Sequence, residues 1–280
     1  MRVACVQSDV VLGDPTDNAS CAVQHLEALK EQGVDLAVFP EAFLTGYCVE
    51  SFDAAESITL EVTSEGALVK EAPEPVIEIR DACVRLGMHV VVGLAGRNSS
   101  GLFNGAVLFQ PDGNMHLYVK THLPELGLDK FVVPGSDLPV FDTELGRIGI
   151  AICFDLRPPE PIRVLALKGA ELIVLPTNWP EGADFAPAHM AAVRANENRV
   201  FLAACNRVGT ENGFRFIGRS GIWDVAGRCL ASAGGGVETI YADLDLSQAR
   251  DKRVRVIPGK YETTVFESRR PELYGEITGA

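Results

Sequence analysis

The chain has 280 residues, 47% of them hydrophobic, and a formal net charge of −13. That length and apolar fraction suffice for one large domain, residues 1–280, with a substantial core. The acidic balance argues against nucleic acid or an anionic membrane as a partner, because either would repel the surface.

Short apolar runs rich in Val, Ile and Leu recur at 3–6, 36–39, 89–94, 105–109, 148–152, 172–175 and 200–204. They read as strands buried on both faces or nearly so. Between them lie stretches with helical spacing. In 15–32, Ala19, Ala22, Val23, Leu26 and Leu29 share one face, and Gly33 can end the helix in a left-handed conformation. Residues 75–86, 159–168 and 186–198 read the same way, most of these helices opening near a proline that a first turn tolerates. Alternating strand and helix predicts an α/β protein. Two stretches break the alternation and predict antiparallel hairpins in mixed sheets: 105–120, turning at Pro111-Asp112-Gly113, and 218–232, turning at Ala226-Gly227.

Three segments put a reactive side chain directly after an apolar run: LAVFPEAF carries Glu41, HLYVKTHLP carries Lys120 and RIGIAICFDLRPPE carries Cys153. Ligands collect at the carboxyl ends of strands in open α/β sheets, so the three can converge. Taken singly, each is better explained by a solvated strand end or a core thiol. Together with VACVQ, TGY after FPE, Pro134-Gly135, LPTNWP, RANENRVFLAACNRVG, FIGRSGI and RRPELYG, these segments resemble the nitrilase superfamily of carbon–nitrogen hydrolases nearly end to end.

The resemblance implies a four-layer α-β-β-α sandwich with two mixed β-sheets and a Glu41, Lys120, Cys153 triad. The residue types suit thiol chemistry. A free thiol titrates at about 8.5 and needs activation near neutral pH. Glu41 can accept its proton and later activate water, while Lys120 stabilises both the carboxylate and a tetrahedral oxyanion. Backbone N–H groups around Phe154 complete the oxyanion site if the chain turns sharply after Cys153. No metal or organic cofactor is required, and no Cys-x-x-Cys or paired-His spacing suggests one.

One departure from the family pattern lies between the lysine motif and Pro134-Gly135, where many members carry a second glutamate. Here the stretch is ELGLDKF: Asp129 fits the following Lys-Phe, whereas Glu125 keeps the residue type. Asp129 is the favoured fourth carboxylate. Tyr47 and His122 are expected to fix Glu41 and Lys120. Asn178 and Trp179, just past an apolar strand, are expected with Tyr47 and Phe154 to line the substrate pocket. Arg157 suits a substrate carboxylate or a structural ion pair, Asn206 and Arg207 suit either pocket or scaffold, and Arg194, Glu197 and Asn198 suit a structural cluster on one helix face.

CFDLRPPE is similar to the amidase and carbamoylase branches, and the Trp-Glu-Asn-like continuation of true nitrilases is missing. The expected reaction is hydrolysis of a small linear amide through a cysteine thioester, with N-carbamoyl hydrolysis as the runner-up. A catalytically silent nitrilase-like binding protein and a nitrilase are the lesser alternatives. The opening MRVACVQSDV lacks signal-peptide character, and the seven cysteines sit mostly in apolar stretches, so a cytoplasmic protein with reduced thiols is expected. The resemblance further implies a homodimer or higher homo-oligomer, with residues 261–280 as a C-terminal tail at the interface.

Overall fold

The computed structural model describes residues 1–279. Among these residues, nine strands form one sheet and six another. In the first, Arg2–Gln7 lies parallel to Leu36–Val38, which lies parallel to His89–Asn98. Gly101–Phe109 and Met115–Val119 continue it in antiparallel sense, and Glu238–Asp243 closes the other side against Arg2–Gln7. In the second, Gly146–Ile150, Leu172–Thr177 and Phe201–Asn206 run parallel. Val140–Thr143 and the hairpin Gly221–Trp223/Cys229–Ser232 flank them antiparallel.

Side chains alternate across each strand, and the alternation assigns the layers. Val3, Cys5, Leu36 and Val38 face Ile148, Ile150, Leu172, Val174, Phe201 and Ala203 in the cleft between the two sheets. Their neighbours Ala4, Val6 and Ala37 face outward onto Ala19, Ala22, Leu26, Val76 and Ile79 of the helices Pro15–Glu31 and Glu74–Leu86. On the far side Ile173, Leu175, Leu202 and Ala204 pack against Ile162, Leu165, Ala191 and Ala195. The result is the expected α-β-β-α sandwich. Burial on both faces is why these strands read as unbroken apolar runs.

Several elements differ from their expected bounds. The strands expected at 89–94 and 105–109 extend toward each other into one long hairpin, His89–Asn98 with Gly101–Phe109. Gly93, Gly96 and Gly105 interrupt the apolar pattern there, yet they are not breaks. A Cβ on Gly93 would collide with the backbone of Pro40 and Ala42, so this glycine lets the Glu41 loop settle onto the sheet. The helix expected over 186–198 divides into a π-helical turn, Ala186–Met190, and the α-helix Ala191–Asn198. Residues 261–264 belong to a second small hairpin, Arg253–Ile257 with Tyr261–Thr264, which the expected tail boundary cuts through. Among the described residues no helix is long and apolar enough to cross a membrane.

Candidate active site

Glu41, Lys120, Asp129 and Asn104 meet in a pocket of fully or almost fully buried side chains. Glu41 follows Leu36–Val38, and the chain turns at Ala42 through a left-handed φ of 48°. Its carbonyl accepts from Asn178 Nδ2 at 3.0 Å. Lys120 follows Met115–Val119; its backbone N–H donates to the Asn104 carbonyl (2.9 Å) and its carbonyl accepts from Gly135 (2.8 Å). Gly135 lies so close over Val119 that a side chain there would strike the strand, which explains the Pro134-Gly135 signal.

The ammonium of Lys120 donates to Glu41 Oε1 at 2.7 Å and to Asp129 Oδ2 at 2.6 Å. Asn104 Nδ2 donates to Glu41 Oε1 (2.8 Å) and to Asp129 Oδ1 (2.9 Å). Asp129 sits in the 3₁₀ turn Gly127–Lys130, held against Tyr47. The Tyr47 hydroxyl donates to Asp129 Oδ2 at 2.8 Å, and the Leu128 N–H donates to the Tyr47 carbonyl at 2.8 Å. Gly127 makes this approach possible: its φ is +51°, and a Cβ would lie 2.8 Å from the Tyr47 ring and carbonyl. Glu125 is exposed and stands outside the cluster.

Cys153 ends the run begun by Gly146–Ile150 and adopts a left-handed φ of 44°, an uncommon conformation for a residue with a side chain. The strain is held by Asp155. Its carboxylate accepts from the Ile152 N–H (2.9 Å), the Tyr118 hydroxyl (2.7 Å), the His122 N–H (3.0 Å) and the Thr121 hydroxyl (2.9 Å). Burial works against this charge, but the donors, His122 first among them, bring the Asp155 carboxyl below its ordinary range. Arg194 clamps the next turn through the carbonyls of Leu156 (3.2 Å) and Arg157 (2.9 Å), and pairs with Glu197 at 3.0 Å. The first N–H groups of the 3₁₀ turn Cys153–Leu156, Phe154 among them, lack intrahelical acceptors and so are available to an oxyanion.

A cavity of about 320 Å³ opens above the thiol, lined by Tyr47, Cys153, Phe154, Asn178, Trp179 and Met190. Tyr47, Phe154, Asn178 and Trp179 all lie at the wall of this cavity. A larger depression of about 480 Å³, bounded by Thr63, Asn98, Tyr118 and Asp137, contains none of the reactive side chains. Two expectations need correction. His122 does not touch Lys120; its ring Nδ1 lies 2.9 Å from Asp155 Oδ1, because the chain after Lys120 turns toward the Cys153 loop. Tyr47 fixes Asp129 rather than Glu41. Asn206 is scaffold: its side chain accepts from the Trp179 N–H (2.8 Å) and donates to the Gly218 carbonyl (2.6 Å). Asn104 was not singled out by the sequence, because a polar residue inside GLFNGAVLF reads as an ordinary outward position.

The electrostatics decide how the thiol is used. Burial, and then the Glu41 carboxylate, push the Cys153 thiol up to about 12, against the pull of Lys120, Thr177 and the Asn178 backbone. Burial also raises the Glu41 carboxyl, with Asp129 adding to the effect while Lys120 and Asn104 oppose it. For Lys120 burial acts to lower the value, but Glu41 and Asp129 together outweigh it, and the ammonium stays charged. Both shifts disfavour a preformed Cys153 thiolate beside an ionised Glu41.

An α/β sandwich that buries a carboxylate and an ammonium within electrostatic reach of a thiol at a cavity wall has the layout of a hydrolase working through a thiol. The profile of the family described as "Carbon-nitrogen hydrolase" matches residues 2–254, and the chain belongs to that family. It is 34% identical over 277 residues to a "Nitrilase" of Pyrococcus abyssi, covering 98% of this chain and 99% of that protein. It is 28% identical over 276 residues to a "2-oxoglutaramate amidase" of Bacillus subtilis, covering 97% and 98%. Among solved structures it resembles Saccharomyces cerevisiae Nit3, described as a member of branch 10 of the nitrilase superfamily, with a TM-score of 0.78 at 26% identity over 93% of this chain and 95% of that one.

Proposed function

We propose that this protein hydrolyses the C–N bond of a small linear amide through an acyl thioester on Cys153, with Glu41 as general base and acid and Lys120 as electrostatic partner. The observation that carries the reading is Glu41 Oε2, a buried carboxylate oxygen with no hydrogen-bond partner, on the same carboxylate whose field reaches Cys153. Such an orphan costs free energy unless a proton or substrate group uses it. Cys153 Sγ attacks the amide carbon as its proton passes to Glu41. The oxyanion forms beside the Lys120 ammonium and the Phe154 N–H. Collapse breaks the C–N bond, and the leaving amine takes the proton from Glu41. Water then attacks the thioester, gives a proton to the same carboxylate, and the carboxylic acid leaves with the thiol restored.

The amidase relative and the cavity, which suits a small acyl group, support an amide as substrate. N-carbamoyl hydrolysis is the second reading. Arg157 lies exposed on the cavity lining and, among the described residues, has no carboxylate partner, so it suits a ureido acid. Ammonia release from a panel of amides, ureido acids and nitriles distinguishes the readings, with Cys153→Ala as the control. Turnover of amides by wild type alone is expected; full activity in Cys153→Ala would overturn the proposal.

We also take residues 1–280 as one hydrolase unit acting as a homodimer or higher homo-oligomer, with 261–280 at the interface; residue 280 lies outside the described residues. Support comes from Tyr261, Leu273 and Ile277, each more than half exposed. Light scattering of the full chain and of a chain ending at 260 tests it: an oligomer that loses its partner is expected, a monomer in both contradicts it. The free thiols of all seven cysteines support a reducing, cytoplasmic setting.

A further inference from the structure

We propose that Asn104 is a positioning residue that gives the two oxygens of Glu41 different work: it saturates Oε1 together with Lys120 and leaves Oε2 as the oxygen that takes the proton from Cys153. The proposal rests on Glu41 acting as the base. Its ground is a closed ring of contacts. Lys120 joins Glu41 Oε1 to Asp129 Oδ2, and Asn104 joins the same Glu41 Oε1 to Asp129 Oδ1.

The orientation of the amide is forced. Its NH₂ faces two carboxylates, where its oxygen would be repelled, and both hydrogens are consumed. Asn104 Oδ1 is left buried without a partner, a cost the structure carries to keep the NH₂ where it is. The same residue's carbonyl accepts from the Lys120 N–H, so one strand position fixes the ammonium's backbone and both carboxylates. Asn104 is fully buried in Gly101–Phe109, opposite Ala95 in the neighbouring strand, where rigid pairing holds it. An aspartate here would add a third carboxylate to a single lysine, and an apolar residue would free Oε1 to compete with Oε2 for the proton.

The groups facing Glu41 are Lys120, Asp129 and Cys153, with the Tyr47 hydroxyl and Cys48 thiol beside them. Donation from Asn104 favours the ionised carboxylate. Its removal therefore raises the pH at which Glu41 ionises.

The test is the pH dependence of kcat/KM and, separately from turnover, of Cys153 alkylation by 2-chloroacetamide followed by peptide mass mapping. Wild type, Asn104→Leu, Asn104→Ser and Glu41→Gln are compared, with thermal unfolding to confirm folding. In Asn104→Leu the acid limb of both profiles moves up by about half a pH unit or more, and kcat falls roughly tenfold with KM little changed. Asn104→Ser, which keeps one donor hydrogen, falls between and serves if the leucine variant does not fold. An unmoved acid limb in a folded Asn104 variant, while Glu41→Gln abolishes the limb, overturns the Asn104 proposal alone. A limb that survives Glu41→Gln overturns the base assignment instead.

Discussion

Two clusters built around a buried cation have the same charges, one cation between two carboxylates, and opposite finish; the first is buried throughout, whereas Asp9 of the second is half exposed. In the first, Lys120 bridges Glu41 and Asp129. In the second, Arg207 bridges Asp9 (2.8 Å) and Glu211 (2.9 Å). The second is saturated: Glu211 Oε1 accepts from the Tyr47 and Cys48 N–H groups, Oε2 accepts from Arg207, and the guanidinium lies 4.5 Å from the Phe216 ring centroid. The first leaves Glu41 Oε2 without a partner. A planar five-donor fork suits a cluster that must be complete; a compact ammonium suits one that must keep an oxygen open. Polar burial alone does not mark a working site; here the open oxygen belongs to the carboxylate whose field reaches Cys153.

If that contrast is right, the largest loss of activity falls in the open cluster. Glu41→Gln is expected to cost about 10²–10⁴-fold in kcat without lowering Tm, because a neutral amide is cheaper to bury than a carboxylate. The wild-type acid limb should lie above the ordinary carboxylate range. Burial raises the Glu41 pKa, so this carboxyl is protonated, and activity is expected to be lost, as pH falls through that raised value. Lys120→Arg is expected to fail nearly as badly as Lys120→Ala, on the order of a hundredfold in kcat, because the guanidinium keeps the charge but not the fit. An arginine variant near wild-type rate would remove the distinction between the two clusters.

The closed cluster should answer in stability instead. Arg207→Met leaves Glu211 buried without its cation and is expected to cost about 3–5 kcal/mol, read as a fall in denaturation midpoint. The kcat of the remaining folded protein should change far less than in Glu41→Gln. A stable Arg207→Met protein without activity would reverse the assignment.

A smaller effect separates the two candidate carboxylates. Asp129→Asn is expected to lower kcat about tenfold or more, since Lys120 and Tyr47 both lose an anionic acceptor. Glu125→Gln, at an exposed site, is expected to leave kcat and Tm within error.

How far the sequence could be read follows from the same physics. Glu41, Lys120 and Cys153 each follow an apolar run, but burial continues unbroken through Glu41, and it was the resemblance of their segments taken together that set them apart from ordinary strand ends. The layers were legible because both faces of the central strands are buried. Asn104 was hidden inside a strand, where period-two alternation makes a polar residue unremarkable. Gly96 hid the length of His89–Asn98, since a glycine that admits a neighbouring side chain, here the Phe103 ring, looks the same in sequence as one that ends a strand. His122 was assigned to Lys120 by proximity in sequence, and only the turn after Lys120 shows that it serves Asp155. The Asp129 assignment needed the third dimension too: ELGLDKF offers two carboxylates, and Gly127 against Tyr47 brings one of them inward.

The most direct test of the account is intact-mass spectrometry of the wild-type protein quenched in acid during turnover of a small linear amide. The account predicts a mass increase equal to the acyl group, mapped to the peptide containing Cys153, labile to hydroxylamine, and missing in Cys153→Ala. Turnover with no adduct in Cys153→Ala, or an adduct on any residue other than Cys153, would contradict it.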